Sequence, residues 1–218
     1  MRPIEQLEKI EEFTAGKDRL ITDLKLNRFQ LLVAVLLSSR TREEKTLEAV
    51  KKLKREIKKP EDALKLGKEK IREMIRGVAF HNEKAKRIVE LSRILTSKHR
   101  GRVPSTLEGL VKLPGVGRKT ANLVLSAGFS KPAICVDTHV HRISNRLGWV
   151  RTKTPAETEK ELMKLFPEEK WKSINRALVV FGRSVCLPRF PRCSECPIKS
   201  SCMYFLSGGR NGVERMEA

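Results

Sequence analysis

Apolar residues recur at the spacing of one helical face through almost the whole chain, and only one short run, PAICV from Pro132 to Val136, reads as strand. That run is too short to build a sheet, so the fold is predicted to be all-α. Periodicity predicts helices over Ile4–Phe13, Asn27–Leu37, Glu43–Ile57, Glu69–Ile75, Asn82–Thr96, Thr106–Leu113, Arg118–Phe129, Thr138–Leu147, Ala156–Phe166 and Glu168–Val185. Capping boxes are expected at Ser105 with Glu108 and at Thr154 with Glu157, the latter with Pro155 at the first helical position. The 218 residues, 39% of them hydrophobic, suffice for one large domain or two small lobes with a real core. There is no internal repeat, and the segment from Gly208 onward is expected to fray.

Charge narrows the class of partner. Lys plus Arg number 46 against 26 Asp plus Glu, a formal charge of +20, far beyond what solubility requires. A polyanion is the expected partner, and nucleic acid fits best. The plainer alternative is a solvated basic surface, as in ribosomal proteins or membrane-surface binders; the run Lys51–Lys59 reads that way, as a solvated helix face. No apolar run is long enough to predict a membrane span, and the N-terminal segment reads as an amphipathic helix instead of a signal peptide. A cytoplasmic, nucleoid-associated protein is expected.

The stretch LPGVGRKTA, Leu113–Ala121, joins two predicted helices through Gly115 and Gly117, which permit left-handed or crowded backbone. A hairpin of this kind presents backbone N–H groups at the positive end of its second helix, where a DNA phosphate fits. Two glycines alone would more often be a plain connector. Lys119 changes that balance: in the first turn of a helix its ammonium meets the positive end of the dipole, a place suited to a neutral, nucleophilic amine.

Cys186, Cys193, Cys196 and Cys202 follow the spacing C-x6-C-x2-C-x5-C. Such clustering in a cytosolic chain points to metal ligation and not to disulfides. Zinc and an iron–sulfur cluster both take four thiolates. Zinc sites usually pair two short knuckles, and only Cys193 and Cys196 form one, so the spacing favours [4Fe-4S]. Cys135 is expected to be a small buried core residue. Arg183, Arg189, Arg192 and Lys199 surround the cysteines and can offset the charge of a cluster or meet phosphates.

In VDTHVHR, Asp137 precedes a predicted helix and by itself reads as an N-cap. His139 and His141, two apart on a helix, face different ways, which argues against shared metal ligation and leaves packing or phosphate contact.

Taken together, LPGVGRKTA, VDTHVHR and the four cysteines, in that order, resemble the endonuclease III family, helix-hairpin-helix DNA glycosylases with apurinic/apyrimidinic lyase activity and a [4Fe-4S] cluster. The resemblance extends from LLVAVLLSSRT through FHNEKA to the last cysteine. It implies a two-lobed helix-hairpin-helix DNA glycosylase fold. One lobe is a six-helix barrel over residues 22–132, with the hairpin motif at about 106–128; the other is a cluster lobe made of 1–21 and 133–218. It implies a monomeric enzyme that binds duplex DNA carrying damaged bases or abasic sites. Lys119 matches the family's nucleophile and Asp137 its catalytic carboxylate; Cys186, Cys193, Cys196 and Cys202 match the cluster ligands. Gly115, Gly117, Arg118, Arg40, Phe80, His81, His139, Arg142 and Arg189 fall at expected DNA contacts. Arg40 departs from the glutamine that the family commonly places there to fill the gap left by a flipped base, and Phe80 stands at the apolar wedge, unless it is a core residue. The competing readings are a mismatch-directed thymine or adenine glycosylase of the same superfamily, which usually lacks a lysine at position 119, and a non-catalytic zinc-containing DNA-binding protein.

Overall fold

The computed structural model describes residues 1–17 and 20–209, so most of the tail expected to fray lies outside the described residues. Every regular element among the described residues is helical: α1 (Pro3–Thr14), α2 (Arg28–Ser38), α3 (Glu43–Glu56), α4 (Pro60–Met74), α5 (His81–His99), α6 (Leu107–Val111), α7 (Arg118–Phe129), α8 (Thr138–Leu147), α9 (Pro155–Leu165), α10 (Trp171–Ser184) and α11 (Met203–Leu206), with short 3-10 turns between some of them. No helix among these residues is long and apolar enough to cross a membrane. The chain divides into two compact units, Arg19–Lys131 and Met1–Asp18 with Pro132–Ala218.

The Arg19–Lys131 unit is organised around α2. Its run from Phe29 to Leu37 is buried on every side, which is the pattern of a central helix and not of a surface one. Asn27 and Gln30 cap its start reciprocally: the Asn27 side chain accepts from Gln30 N at 2.9 Å and Gln30 Oε1 accepts from Asn27 N at 3.1 Å. Helices α3, α5 and α7 pack on α2, and α4 packs along α5. The periodicity captures only the second half of α4. The helix begins at Pro60 and bends at Gly67, whose φ of 77° breaks the apolar spacing and hides the first half.

In the other unit α1 packs on α10, and α8 meets α9, α10 and α11. Leu7 and Ile10 of α1 enter the same core as Val140, Ile143, Leu162 and Phe181. Gln6 is buried among them and satisfied at both ends, accepting from Trp149 Nε1 and donating to the Ser201 carbonyl at 2.8 Å. The PAICV run is extended without a sheet partner, and Cys135 within it is 1% exposed, the core residue expected.

Candidate active site and cysteine centre

The hairpin connects α6 to α7. The α6 cap is Thr106, not Ser105: its side chain accepts from Gly109 N at 3.1 Å, one residue later than the spacing suggested. Leu113 and Val116 are buried and anchor the turn. The two glycines then do different things. Gly115 has φ 77°, and a Cβ on it would lie 2.8 Å from Arg87 Cδ, so only glycine fits without strain. Gly117 has φ −89°, open to any residue, and a Cβ there would meet nothing within 4 Å. The expectation that both glycines serve unusual backbone therefore holds for Gly115 alone. Gly117 is the N-cap of α7 and brings no capping side chain, leaving the positive end of that helix beside Arg118 and Lys119, both exposed.

Beside the hairpin is a cavity of about 340 Å³ whose lining includes Arg40, Phe80, Lys84, Arg87, Gly115 and Thr120. The structure thus brings Arg40, Phe80 and Gly115, distant in sequence, to one place. Arg40 (φ 53°) and Phe80 (φ 57°) both lie in the left-handed region, which is uncommon for non-glycine residues and concentrates at functional sites. Phe80 is 60% exposed, which excludes the core alternative for it. It is also the N-cap of α5, with His81, half-buried, as the first helical residue. Lys84, Arg87 and Thr120 were not singled out by sequence reasoning. The only signal for the first is its place within FHNEKA.

Asp137, half-buried, is the N-cap of α8. Its Oδ1 accepts from both His139 N and Val140 N at 2.9 Å. One carboxylate oxygen carries the cap and Oδ2 takes no part in it, so capping and chemistry are compatible in one residue. His141 Nδ1 lies 2.7 Å from Thr158 Oγ1, and His139 Nδ1 lies 3.3 Å from Arg142 Nη2, so the two imidazoles have separate surroundings. Arg142 Nη2 also donates to the Cys186 carbonyl at 2.9 Å, tying α8 to the start of the cysteine segment.

Cys186, Cys196 and Cys202 pack against the same apolar core. Cys186 follows α10, Cys193 and Cys196 bracket a 3-10 turn, and Cys202 caps α11. Burial pushes the Cys196 thiol up to about 11, with the sulfurs of Cys202, Cys186 and Cys193 adding to the shift and the Ile198 N–H opposing it. Burial likewise raises Cys202 and Cys193, each with a contribution from Cys186. At Cys193, Cys196 and Cys202 burial disfavours the thiolate, a cost that a cationic centre would offset. Arg146 approaches the same place: Nη1 is 3.5 Å from Cys186 Sγ and 2.7 Å from the Leu187 carbonyl, Nη2 is 2.6 Å from the Pro188 carbonyl, and the guanidinium covers the Tyr204 ring. Among the described residues no group of three or more His, Cys, Asp or Glu is placed so as to hold a metal ion. Arg189 is exposed on the loop between the first two cysteines.

Residues 33–168 match the HhH-GPD superfamily base excision DNA repair protein family. Endonuclease III of Thermotoga maritima is 52% identical over 85% of this chain and 87% of its own length. The chain belongs to the endonuclease III family. A solved structure of a trapped endonuclease III–DNA covalent intermediate, an estranged-adenine complex, matches with a TM-score of 0.84 at 36% identity, covering 98% of this chain and 96% of that one. A thermostable thymine-DNA glycosylase matches with a TM-score of 0.82 at 26% identity over 92% of this chain and 95% of its own. Since both share the fold, fold alone does not distinguish endonuclease III from a mismatch glycosylase.

Proposed function

We propose that this protein, a base excision repair DNA glycosylase and apurinic/apyrimidinic lyase acting on damaged duplex DNA, removes oxidised pyrimidines with Lys119 as its nucleophile and Asp137 as its catalytic carboxylate. The observation that carries the reading is the hairpin. Gly115 holds the strained turn, Gly117 leaves room for a phosphate at the positive end of α7, and Lys119 sits exposed in the first turn.

The damaged nucleotide is flipped out of the stack. The neutral amine of Lys119 attacks the sugar carbon that bears the base, and the base departs with its bonding electrons. Asp137 stabilises positive charge at the sugar or takes a proton from the amine. The resulting Schiff base withdraws electrons, a proton is lost from the adjacent sugar carbon, and the 3′ phosphate leaves by β-elimination. One lysine serves both activities. Arg40 fills the gap left by the base, Phe80 wedges the kinked duplex, and His81, Arg118, His139, Arg142 and Arg189 contribute to the DNA-binding surface.

Cys186, Cys193, Cys196 and Cys202 would hold the [4Fe-4S] cluster; the C-x6-C-x2-C-x5-C spacing, with one short knuckle where zinc sites usually pair two, supports that over zinc. When bound, the cluster supplies a cross-link for the Cys186–Cys202 segment. The substrate reading is tested with duplexes carrying thymine glycol, uracil or an abasic site, each opposite each normal base. Release of thymine glycol and nicking at the abasic site are expected; preferential release of thymine from mismatches would overturn it.

A further inference from the structure

Lys84 is 4% exposed, an unusual place for a lysine. Its Nζ donates to the Leu37 carbonyl at 2.8 Å, the Ser39 carbonyl at 2.6 Å and Thr41 Oγ1 at 3.0 Å, so all three of its protons have acceptors. These acceptors bracket Arg40. Two are carbonyls at the C-terminal end of α2, where helix carbonyls lack intrahelical partners and the dipole is negative. Arg40 itself holds φ 53°, a conformation that persists only where the surroundings over-determine it. The backbone of Lys84 is committed as well, its N–H donating to the Phe80 carbonyl at 3.0 Å in the first turn of α5. One residue therefore links the loop that carries Arg40 to the helix start that carries Phe80, and both of those side chains line the same cavity. Burial, and then the neighbouring Arg87 charge, pull the Lys84 pKa down to about 8, so the ammonium is retained here against its own desolvation.

We infer that Lys84 is a positioning residue for damage recognition, locking the Ser39–Thr41 loop against the first turn of α5 so that Arg40 is presented at the cavity rim beside Phe80. This rests on the proposed entry of Arg40 and Phe80 into the duplex at the flipped nucleotide. The test is a double-variant cycle on the full chain: unsubstituted protein, Lys84→Met, Arg40→Ala and the pair. Each is titrated against a duplex with a tetrahydrofuran abasic analogue and against the same duplex undamaged. The readout is the ratio of the two affinities. Lys84→Met is expected to lower that ratio about tenfold, and in the Arg40→Ala background to lower it little further, because groups that act through one another are non-additive. An unchanged ratio for Lys84→Met, or an equal loss with and without Arg40, overturns the inference and leaves Lys84 as a helix cap. If Lys84→Met does not fold, as judged by thermal melting, Thr41→Val takes its place in the cycle; it removes one acceptor of the clamp, and the same criteria apply to a smaller effect. If Arg40→Ala alone leaves the ratio unchanged, the DNA-contact reading fails and this inference with it, an outcome distinct from one in which Arg40 matters and Lys84 does not.

Discussion

The Arg19–Lys131 unit and the unit formed by Met1–Asp18 with Pro132–Ala218 are both helical, yet they are closed by different means. The first is wrapped around α2, whose residues Phe29–Leu37 are buried without interruption, so its core is supplied by one continuous apolar segment and the helices that follow it. The second joins the beginning of the chain to its end: Gln6 bonds across 195 positions to Ser201, and Leu7 and Ile10 share a core with Phe181. Its last segment contributes little apolar volume. Between Cys186 and Cys202 only Ile198 is fully buried, while Phe190 is exposed, as are Phe205 and Leu206 just beyond. The difference teaches that a lobe with its own apolar axis can stand on hydrophobic burial, whereas a polar loop segment needs a cross-link, here proposed to be a metal cluster.

The largest expected effect comes from breaking that cross-link. Cys196→Ser is expected to abolish iron binding and to melt the cysteine-bearing unit well before the other, read as iron and sulfide per chain and as two separated thermal transitions. Leu32→Ala, in the core of the hairpin-bearing unit, should cost about 2–5 kcal/mol and leave iron content unchanged. Zinc in the purified protein, or iron retained after Cys196→Ser, would erase the contrast.

Asp137→Asn sharpens the same comparison within the cysteine-bearing unit, since it separates a residue's structural part from its chemical part. Asparagine caps helices about as well as aspartate, so thermal stability should hold while base excision slows by roughly 10²–10⁴-fold. A loss of activity matched by a loss of folded protein would reduce Asp137 to a cap.

Smaller in size is the effect of Gly117→Ala in the hairpin-bearing unit. Stability should shift by no more than about 0.5 kcal/mol, because the backbone angle is ordinary and the space is open. Affinity for undamaged duplex should nevertheless fall about tenfold, the size of one charge-assisted hydrogen bond. Unchanged affinity in an equilibrium titration would make the hairpin a connector only.

The smallest effect is an acid-limb change in the hairpin-bearing unit. Asp62 Oδ2 accepts from Lys58 N at 2.9 Å and Lys59 N at 3.0 Å, and these backbone donors, Lys58 first, hold its carboxyl below the ordinary value of 3.8. A folded-state pKa below the unfolded one gives stability that is present above pH 3.8 and lost as pH falls through the lowered value. Asp62→Asn should therefore flatten the pH dependence of melting below about pH 4 and leave it unaltered near neutrality.

What could be read in advance cuts across the two units. Helices α7 and α8 are legible because each carries a local start signal, the glycine hairpin and Asp137, together with an apolar period, and α2 because its apolar run is nearly unbroken. Thr154, Pro155 and Glu157 mark α9 equally well, and the structure shows that capping box. The first half of α4 is hidden because Gly67 interrupts the apolar period. Lys84 is hidden for a different reason. A lysine is expected outside, and only the tertiary arrangement of α2 and α5 shows that its three protons are taken up inside. The cavity that unites Arg40, Phe80 and Gly115 is a property of packing that no local pattern encodes, and the distinct duties of Gly115 and Gly117 require backbone angles.

The central claim is that the first-turn lysine of α7 is the reacting group. Its most direct measurement is borohydride trapping on a duplex with an enzymatically generated abasic site, comparing the unsubstituted protein with Lys119→Gln. The unsubstituted protein should yield a covalent protein–DNA adduct and a strand nick. Lys119→Gln should yield neither while binding the same duplex, with spontaneous β-elimination subtracted. An adduct formed by Lys119→Gln would contradict the account and assign the Schiff base to another amine.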